Sequence, residues 1–248
     1  MRIAIAGGTG LVGGHVADAV TAAGHEPVIV ARSRGVDLLT GRGLDAALAG
    51  VDAVIDVTNV RSIREKAATA FFQTAGRNLL AAEEKAGVGH HVTLSIVGID
   101  RVPGYGYYRA KLHQEQLVQA GRIPWTVLRA TQFHEFAQQM LAQVPGPLAF
   151  VPRMCCRPVA AREVAHRLVE LATGPAQKTA PELAGPGEEQ LVDMARRLLR
   201  AQGRHRWLIP VTFPGATGAA MTGDALLRAG AGPRGTQTFD QWLDEAAG

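Results

Sequence analysis

The chain opens on an apolar run, RIAIAG, which breaks at a glycine-rich turn and gives way to an amphipathic stretch from Leu11 to about Ala23. Gly24 stands where a helix C-cap glycine belongs. The Val/Ile-rich run EPVIVAR predicts a second buried strand, a short helix follows over 44–49, and DAVIDV (52–57) predicts a third strand. A long helix is predicted over 65–85, ending at Gly87 and Gly89, and HHVTLSIVG is the fourth strand. A Gly/Tyr/Pro loop leads to a helix over 107–119, stopped by Gly121, and WTVLRA (125–130) is the fifth strand. Strands alternating with helices of this length predict βαβ units and a parallel sheet, and right-handed crossovers place helices on both faces.

Beyond Phe133 the rhythm loosens. The pattern predicts a helix over 134–143, a break at VPGP, a strand-like LAFV, helices over 161–173 and 187–202, and a strand-like LIPVTF. A Gly/Ala stretch over 215–235 precedes a short helix carrying Phe239, Trp242 and Leu243. The expected fold class is α/β, a doubly wound parallel sheet over 1–132 with a smaller region, 133–248, capping it rather than folding independently.

Composition narrows the classes. Of 248 residues, 47% are hydrophobic and 19% charged, enough to bury a core and too apolar for a disordered chain. No window approaches the ~18 apolar residues of a membrane span, and MRIAIAGGTG lacks the apolar region of a signal peptide. The expectation is a cytoplasmic protein with no membrane partner. A net charge of +4, 5% aromatics and no basic run interleaved with aromatics argue against nucleic acid. Cys155 and Cys156 are adjacent, and a vicinal pair closes a strained ring, so reduced thiols are expected. The Ala/Arg/Gly bias suits a bacterial source. No heptads or interface stripe appear, which leaves a homodimer open.

Gly7, Gly10 and Gly13 are spaced G-x-x-G-x-x-G between the first strand and first helix. Dinucleotide binding needs a tight turn, close approach of pyrophosphate to backbone and tight packing of helix on strand. The helix N-terminus then offers free N–H groups to the phosphates, so Thr9, Leu11 and Val12 join the glycines as candidate cofactor contacts. At the end of the second strand, where an NAD-selective site carries Asp or Glu, the chain has Ala31, Arg32, Ser33 and Arg34. Two guanidiniums suit a 2′-phosphate, which predicts NADP(H), with Arg32 the first selector and Arg34 the second.

Tyr107 and Lys111 lie four apart at the start of a predicted helix, and Ser95 ends the strand before it. A phenol is a poor acid at neutral pH. A nearby ammonium would lower its pKa, and a serine hydroxyl could orient the carbonyl that the phenol protonates.

AGGTGLVGG, the serine of LSIVG, YYRAK and LRATQFHEF together resemble the short-chain dehydrogenase/reductase superfamily, most closely its atypical, NmrA-like branch of NAD(P)H-binding proteins. The resemblance covers nearly the whole chain. It implies a Rossmann-type core and a C-terminal region that sets substrate specificity. It puts Ser95, Tyr107 and Lys111 on the catalytic serine, tyrosine and lysine, with Lys111 also on the nicotinamide ribose. Thr58 and Asn59 fall at the cofactor's middle, and Asp37 and Leu38 flank the adenine. A shift of one residue, to Tyr108, would move the phenol to another side of the helix.

Gln132, Phe133 and His134 stand where the family's substrate pocket begins. His134 could touch substrate or face solvent at a helix N-terminus. His134 and Glu135 do not start H-E-x-x-H, because residue 138 is Gln, and no Cys/His spacing resembles a metal site. Met154, Cys155 and Cys156 make a soft apolar patch before Pro158, which either borders substrate, as that region often does in such folds, or is ordinary packing, the reading preferred. The reading is an NADPH-dependent oxidoreductase that reduces a small carbonyl, quinone or imine by hydride transfer, Tyr107 giving the proton. The alternatives are an NADP-sensing regulatory binding protein and a non-redox isomerase, cyclase or dehydratase on the same scaffold.

Overall fold

Short β-branched runs punctuated by glycine turns make five strands of the first half: β1 (Arg2–Ala6), β2 (Glu26–Val30), β3 (Ala53–Asp56), β4 (His90–Ile96) and β5 (Trp125–Ala130). Between them run α1 (Leu11–Ala22), α2 (Leu44–Leu48), α3 (Glu65–Ala86) and α4 (Gly106–Gln119). These agree with the predicted elements to within two residues. The structure is a computed structural model and describes residues 1–60, 62, 64–143, 146–227 and 230–247.

The second half contains α5 (Phe136–Ala142), β6 (Leu148–Pro152), β7 (Cys155–Cys156), α6 (Ala161–Thr173) and β8 (Lys178–Thr179). It continues with β9 (Glu189–Gln190), α7 (Leu191–Ala201), β10 (Trp207–Val211), α8 (Gly215–Thr222) and α9 (Phe239–Ala247). The helix expected from 187 starts at Leu191, because Glu189 and Gln190 pair instead with Cys156 and Cys155. The Gly/Ala stretch conceals α8, while its residues 228 and 229 lie outside the described residues, as do 144 and 145 of the expected VPGP break.

The chain gathers into two compact units. The first holds Met1–Ser95, Tyr105–Arg129 and Ala161–Ala180; the second holds Ile96–Gly104, Ala130–Ala160 and Pro181–Gly248. In the first, a six-stranded sheet runs in the order β2-β1-β3-β4-β5-β8, with parallel pairing. Alternate residues of β1 face opposite layers. Ala4 and Ala6 pack with Val54 against Leu44, Leu48, Leu79 and Ala82 of α2 and α3, while α1 and α6 pack on each other and on the strands from the other side. The sheet is thus wound on both faces. Chain order reverses between β1 and β3, one leading toward β2 and the other toward β4. In such sheets that reversal opens a crevice at the strands' C-terminal ends.

Inside the first unit His91 Nδ1 meets both carboxylate oxygens of Glu83 at 3.0 Å, and His91 Nε2 meets Thr93 Oγ1 at 2.9 Å. All three are buried. Burial alone would lower the histidine's pKa, but the charge and hydrogen bond of Glu83 reverse that and raise it. In the second unit β6 and β10 form a parallel pair with α5 and α7 packed on it, and α9 packs on α7.

Candidate functional site

Gly7 leaves β1 with φ +84°, a conformation that suits glycine, and a Cβ there would stand 3.0 Å from the Val57 carbonyl oxygen. The turn closes through Gly10 N–H to the Gly7 carbonyl, 2.9 Å, and Gly10 caps α1 in an extended conformation. At Gly13, inside the first turn of α1, a Cβ would fall 2.2 Å from the Gly7 oxygen. Helix and turn therefore approach as closely as backbones can. The turn opens at the end of β1, and Thr58 and Asn59 follow β3, so both sides of the chain-order reversal carry predicted cofactor residues. This cradle fits a dinucleotide: it presents the N-terminal N–H groups of α1, and side chains are missing where a pyrophosphate must come near.

The other predicted cofactor residues surround the same strand ends. Arg32 and Arg34 lie in a 3-10 turn just past β2, both exposed, and neither side chain has a partner among the described residues. Asp37 is half-buried and its carboxylate accepts from Leu39 N–H at 2.9 Å. Leu38 packs on the α2/α3 core, and its carbonyl accepts from Asn78 Nδ2 at 2.8 Å. Leu11 is exposed at the start of α1, beside Val12.

A chain of contacts ties this cradle to the predicted Ser–Tyr–Lys group. Asp56, at the end of β3, accepts from Thr58 N–H at 2.9 Å and from Gln114 Nε2 at 2.8 Å. Gln114 Oε1 accepts from Lys111 Nζ at 2.5 Å, and the same ammonium donates to the Leu94 carbonyl at 2.8 Å. It also sits 5.0 Å from the Phe72 ring centroid. Ser95 is next in the chain, and its buried Oγ has no hydrogen-bond partner among the described residues. A buried unpartnered hydroxyl is costly in a finished core and expected where a ligand completes the bond. Tyr107 donates to Asn59 Oδ1 at 2.8 Å. Tyr108 is buried on another side of α4, stacked edge-on to Tyr105 at 4.7 Å, so it is Tyr107 that meets the loop after β3.

The electrostatics differ from expectation. Burial, with Tyr105 beside it, pushes the Tyr107 phenol above its ordinary range rather than below it. The lysine does not supply the lowering charge, because its hydrogen bonds go to Leu94 and Gln114. Burial in turn pulls Lys111 down to about 8, against the opposing pull of Asp56 and Glu115. Unfolding returns the lysine to ordinary behaviour, so between pH 8 and 10.5 the unfolded chain binds more protons and this group's contribution to stability rises with pH. Below pH 8 both states are charged and the cost of burying the ammonium is fully present. The expected result is that, from pH 8 to 10.5, unfolding free energy shifts by roughly 3 kcal/mol in favour of wild type over Lys111→Met. Urea melts at both pH values measure it, and a constant difference would refute the depressed pKa.

Sequence reasoning missed Asp56 and Gln114. Gln114 lies three residues after Lys111 on the same helix face, and Asp56 is a lone acid in an apolar strand; both signals were in the sequence. It also gave Asn59 to the cofactor alone, whereas here Asn59 holds the phenol.

The substrate candidates fall in the second unit. Gln132 is buried with both amide atoms unpartnered among the described residues. Phe133 is half-buried and bridges to Val159. The reading of His134 as solvent-facing is corrected: it is fully buried, its Nε2 lies 3.1 Å from the Gln237 carbonyl, and its ring packs 5.9–6.0 Å from Phe239 and Trp242. Those partners come from the far end of the chain, beyond any local pattern. Cys155 and Cys156 are free thiols. Among the described residues no cluster of His, Cys, Asp or Glu could hold a metal, and no helix is long and apolar enough to cross a membrane.

Residues 7–175 match the profile of a family described as NAD(P)H-binding. Among curated protein sequences nothing matches. Solved structures share the fold at low identity. Triphenylmethane reductase of Citrobacter sp., complexed with NADP(H), is 17% identical with TM-score 0.72, each chain covered 100%. The NADPH-dependent quinone oxidoreductase of Escherichia coli, complexed with NADPH, is 18% identical with TM-score 0.67 over 98% of this chain and 99% of the other. TunA, an NAD-dependent NDP-hexosamine 5,6-dehydratase of tunicamycin biosynthesis, is 16% identical with TM-score 0.73 over 99% and 96%.

Proposed function

From the premise that the chain belongs to the NAD(P)H-binding family, we propose that it is an NADPH-dependent reductase of a small carbonyl, quinone or imine. The observation that carries the reading is the run of contacts from the glycine cradle through Thr58, Asp56, Gln114 and Lys111 to the residue beside Ser95, with Tyr107 held by Asn59. The cofactor, when bound, supplies a hydride to the electrophilic carbon. Ser95 Oγ, without a partner among the described residues, orients the substrate oxygen or nitrogen by donating to it. Tyr107, protonated at any working pH, gives the proton that completes reduction to the alcohol, hydroquinone or amine. Lys111, bonded to the carbonyl of Leu94 beside Ser95, supplies a buried positive charge to this end of the strand and would hold the ribose. Gln132, with Phe133 next to it, is the substrate candidate carried forward, since its buried amide has no partner among the described residues.

Two reductases among the structural neighbours favour hydride transfer to an external substrate; the dehydratase on the same fold keeps a recycled cofactor in view. Titration of the purified protein with NADPH and NADH, then NADPH oxidation against carbonyls, quinones and imines, tests the reading. Selective binding with turnover is expected. Binding without net NADPH consumption, on this panel, would move the reading to an isomerase-type enzyme or a sensor, and no binding would overturn it.

Selectivity should reside in the exposed turn after β2. Arg32→Ala is expected to weaken NADPH binding about 10–100-fold while leaving NADH within about threefold, the loss of a charge-assisted pair. Arg34→Ala should do less. Equal losses for both cofactors would show that the arginine does not read the 2′-phosphate.

A further inference from the structure

The two strands β6 and β10 pair in parallel with Trp207 beside Leu148, Ile209 beside Phe150 and Val211 beside Pro152. Their alternate residues, Ala149 and Val151, are buried on the side where α5 and α7 pack. The outward side is left open: Trp207 is 75% exposed, Phe150 47%, Leu148 42% and Ile209 37%. Apart from the indole N–H, that face carries no side-chain hydrogen-bonding group. The face is small, and exposed apolar side chains grouped in this way gain meaning from the charge around them.

Charge says what covers it. No Asp or Glu occurs between Glu135 and Glu163, or between Asp193 and Asp224, while these two segments hold eight arginines. Arg153 follows β6, Arg204 precedes β10 and Arg200 lies in the last turn of α7; all three are exposed without an ion-pair partner among the described residues. A second copy of this chain would set like charges against each other. Six side chains on two strands also cover only about 10 by 20 Å, far below the roughly 800 Å² per partner of a stable interface.

We propose that this face docks on an anionic lipid bilayer. A bilayer requires no shape complementarity, so a small flat patch suffices. Tryptophan and phenylalanine settle at the headgroup boundary, and Arg153 and Arg204, exposed at opposite ends of the parallel strand pair, would meet anionic headgroups. The association is peripheral, and among the described residues no helix is long and apolar enough to cross a membrane. This departs from the sequence expectation of no membrane partner, because the two half-exposed strands lie far apart in sequence and only their pairing creates the face.

Co-sedimentation of the full chain with phosphatidylcholine vesicles, with and without about 30% phosphatidylglycerol, tests the proposal. Binding to the anionic vesicles is expected to be about tenfold tighter or more, to weaken in about 0.5 M NaCl, and to shift tryptophan emission to the blue. Trp207→Ser with Phe150→Ser should lose about tenfold of that binding, and Arg153→Gln with Arg204→Gln should lose the preference for anionic lipid, with unchanged circular dichroism. Absence of binding to anionic vesicles overturns the proposal. Binding to soluble polyglutamate as tight as to vesicles also does, since the apolar face would then contribute nothing, and so does a dimer abolished by Phe150→Ser.

Discussion

Tyr107→Phe is expected to lower turnover of any reduced substrate by about 10²–10⁴-fold, the usual worth of a positioned proton donor, with NADPH affinity within about threefold of wild type. The substitution removes one oxygen and keeps the ring. Edge-on packing on Phe72, with centroids 6.2 Å apart, therefore survives, and the loss can be assigned to the hydroxyl. The hydroxyl's present partner is Asn59 Oδ1, so Asn59→Ala should give a smaller loss by letting the phenol wander. Because burial raises the phenol's pKa, the proposed role is that of an acid and not of a base, and on that proposal activity must not depend on prior deprotonation. A rate that climbs with pH through the ordinary tyrosine range would contradict that assignment. Unchanged kcat in Tyr107→Phe would remove the residue from the chemistry.

The second large effect belongs to Gly13. A methyl group there would stand 2.2 Å from the Gly7 oxygen and 2.6 Å from the Gly8 Cα, and neither atom is the end of a flexible side chain. Turn and helix must part, which moves the N–H groups the phosphates would meet. Gly13→Ala should weaken NADPH binding by about 100-fold or more and cost about 1–3 kcal/mol of stability, as overpacking does. The neighbouring Gly14 is the control. Nothing lies within 4 Å of its added Cβ, and a glycine inside a helix gives up roughly 0.5–1 kcal/mol to alanine. Gly14→Ala should therefore bind normally and melt at or above wild type. Thermal melts and NADPH fluorescence titrations on the two variants decide the matter, and equal behaviour would show that the close approach carries no function.

How much of this was written in the sequence varies by element. WTVLRA matched β5 to the residue because Gly121 and Pro124 break the chain just before it and Trp125, Thr126, Val127 and Leu128 suit a buried strand. The alternation of strands with long helices was enough for the doubly wound sheet. The two-residue β8 was invisible, since a period of two needs more than two residues to show. The α8 segment, GATGAAMT, hides because small residues give no apolar stripe. For His134 only the solvent-facing alternative fails, and for another reason: the residues that bury it, Gln237, Phe239 and Trp242, lie about a hundred positions away. At the site, the glycine turn and the Tyr–Lys spacing are local patterns and could be read. The Asp56–Gln114 link joins a strand end to a helix and needed the fold to be seen.

The first unit takes its last piece from residues 161–180, which bring α6 onto α1 and add β8 to the edge of β5. During synthesis the five earlier strands are complete when residue 130 is made, yet α1 waits for its neighbour and β5 for its partner through another fifty residues. At the pace of a ribosome that interval is about 3–10 s, long compared with helix and hairpin formation. Through it the nascent chain carries an uncovered helix face and an unpaired strand edge, the two features that recruit chaperones or wrong partners. Slow codons placed shortly after residue 130 should lengthen this exposed state, and slow codons after residue 180 should not.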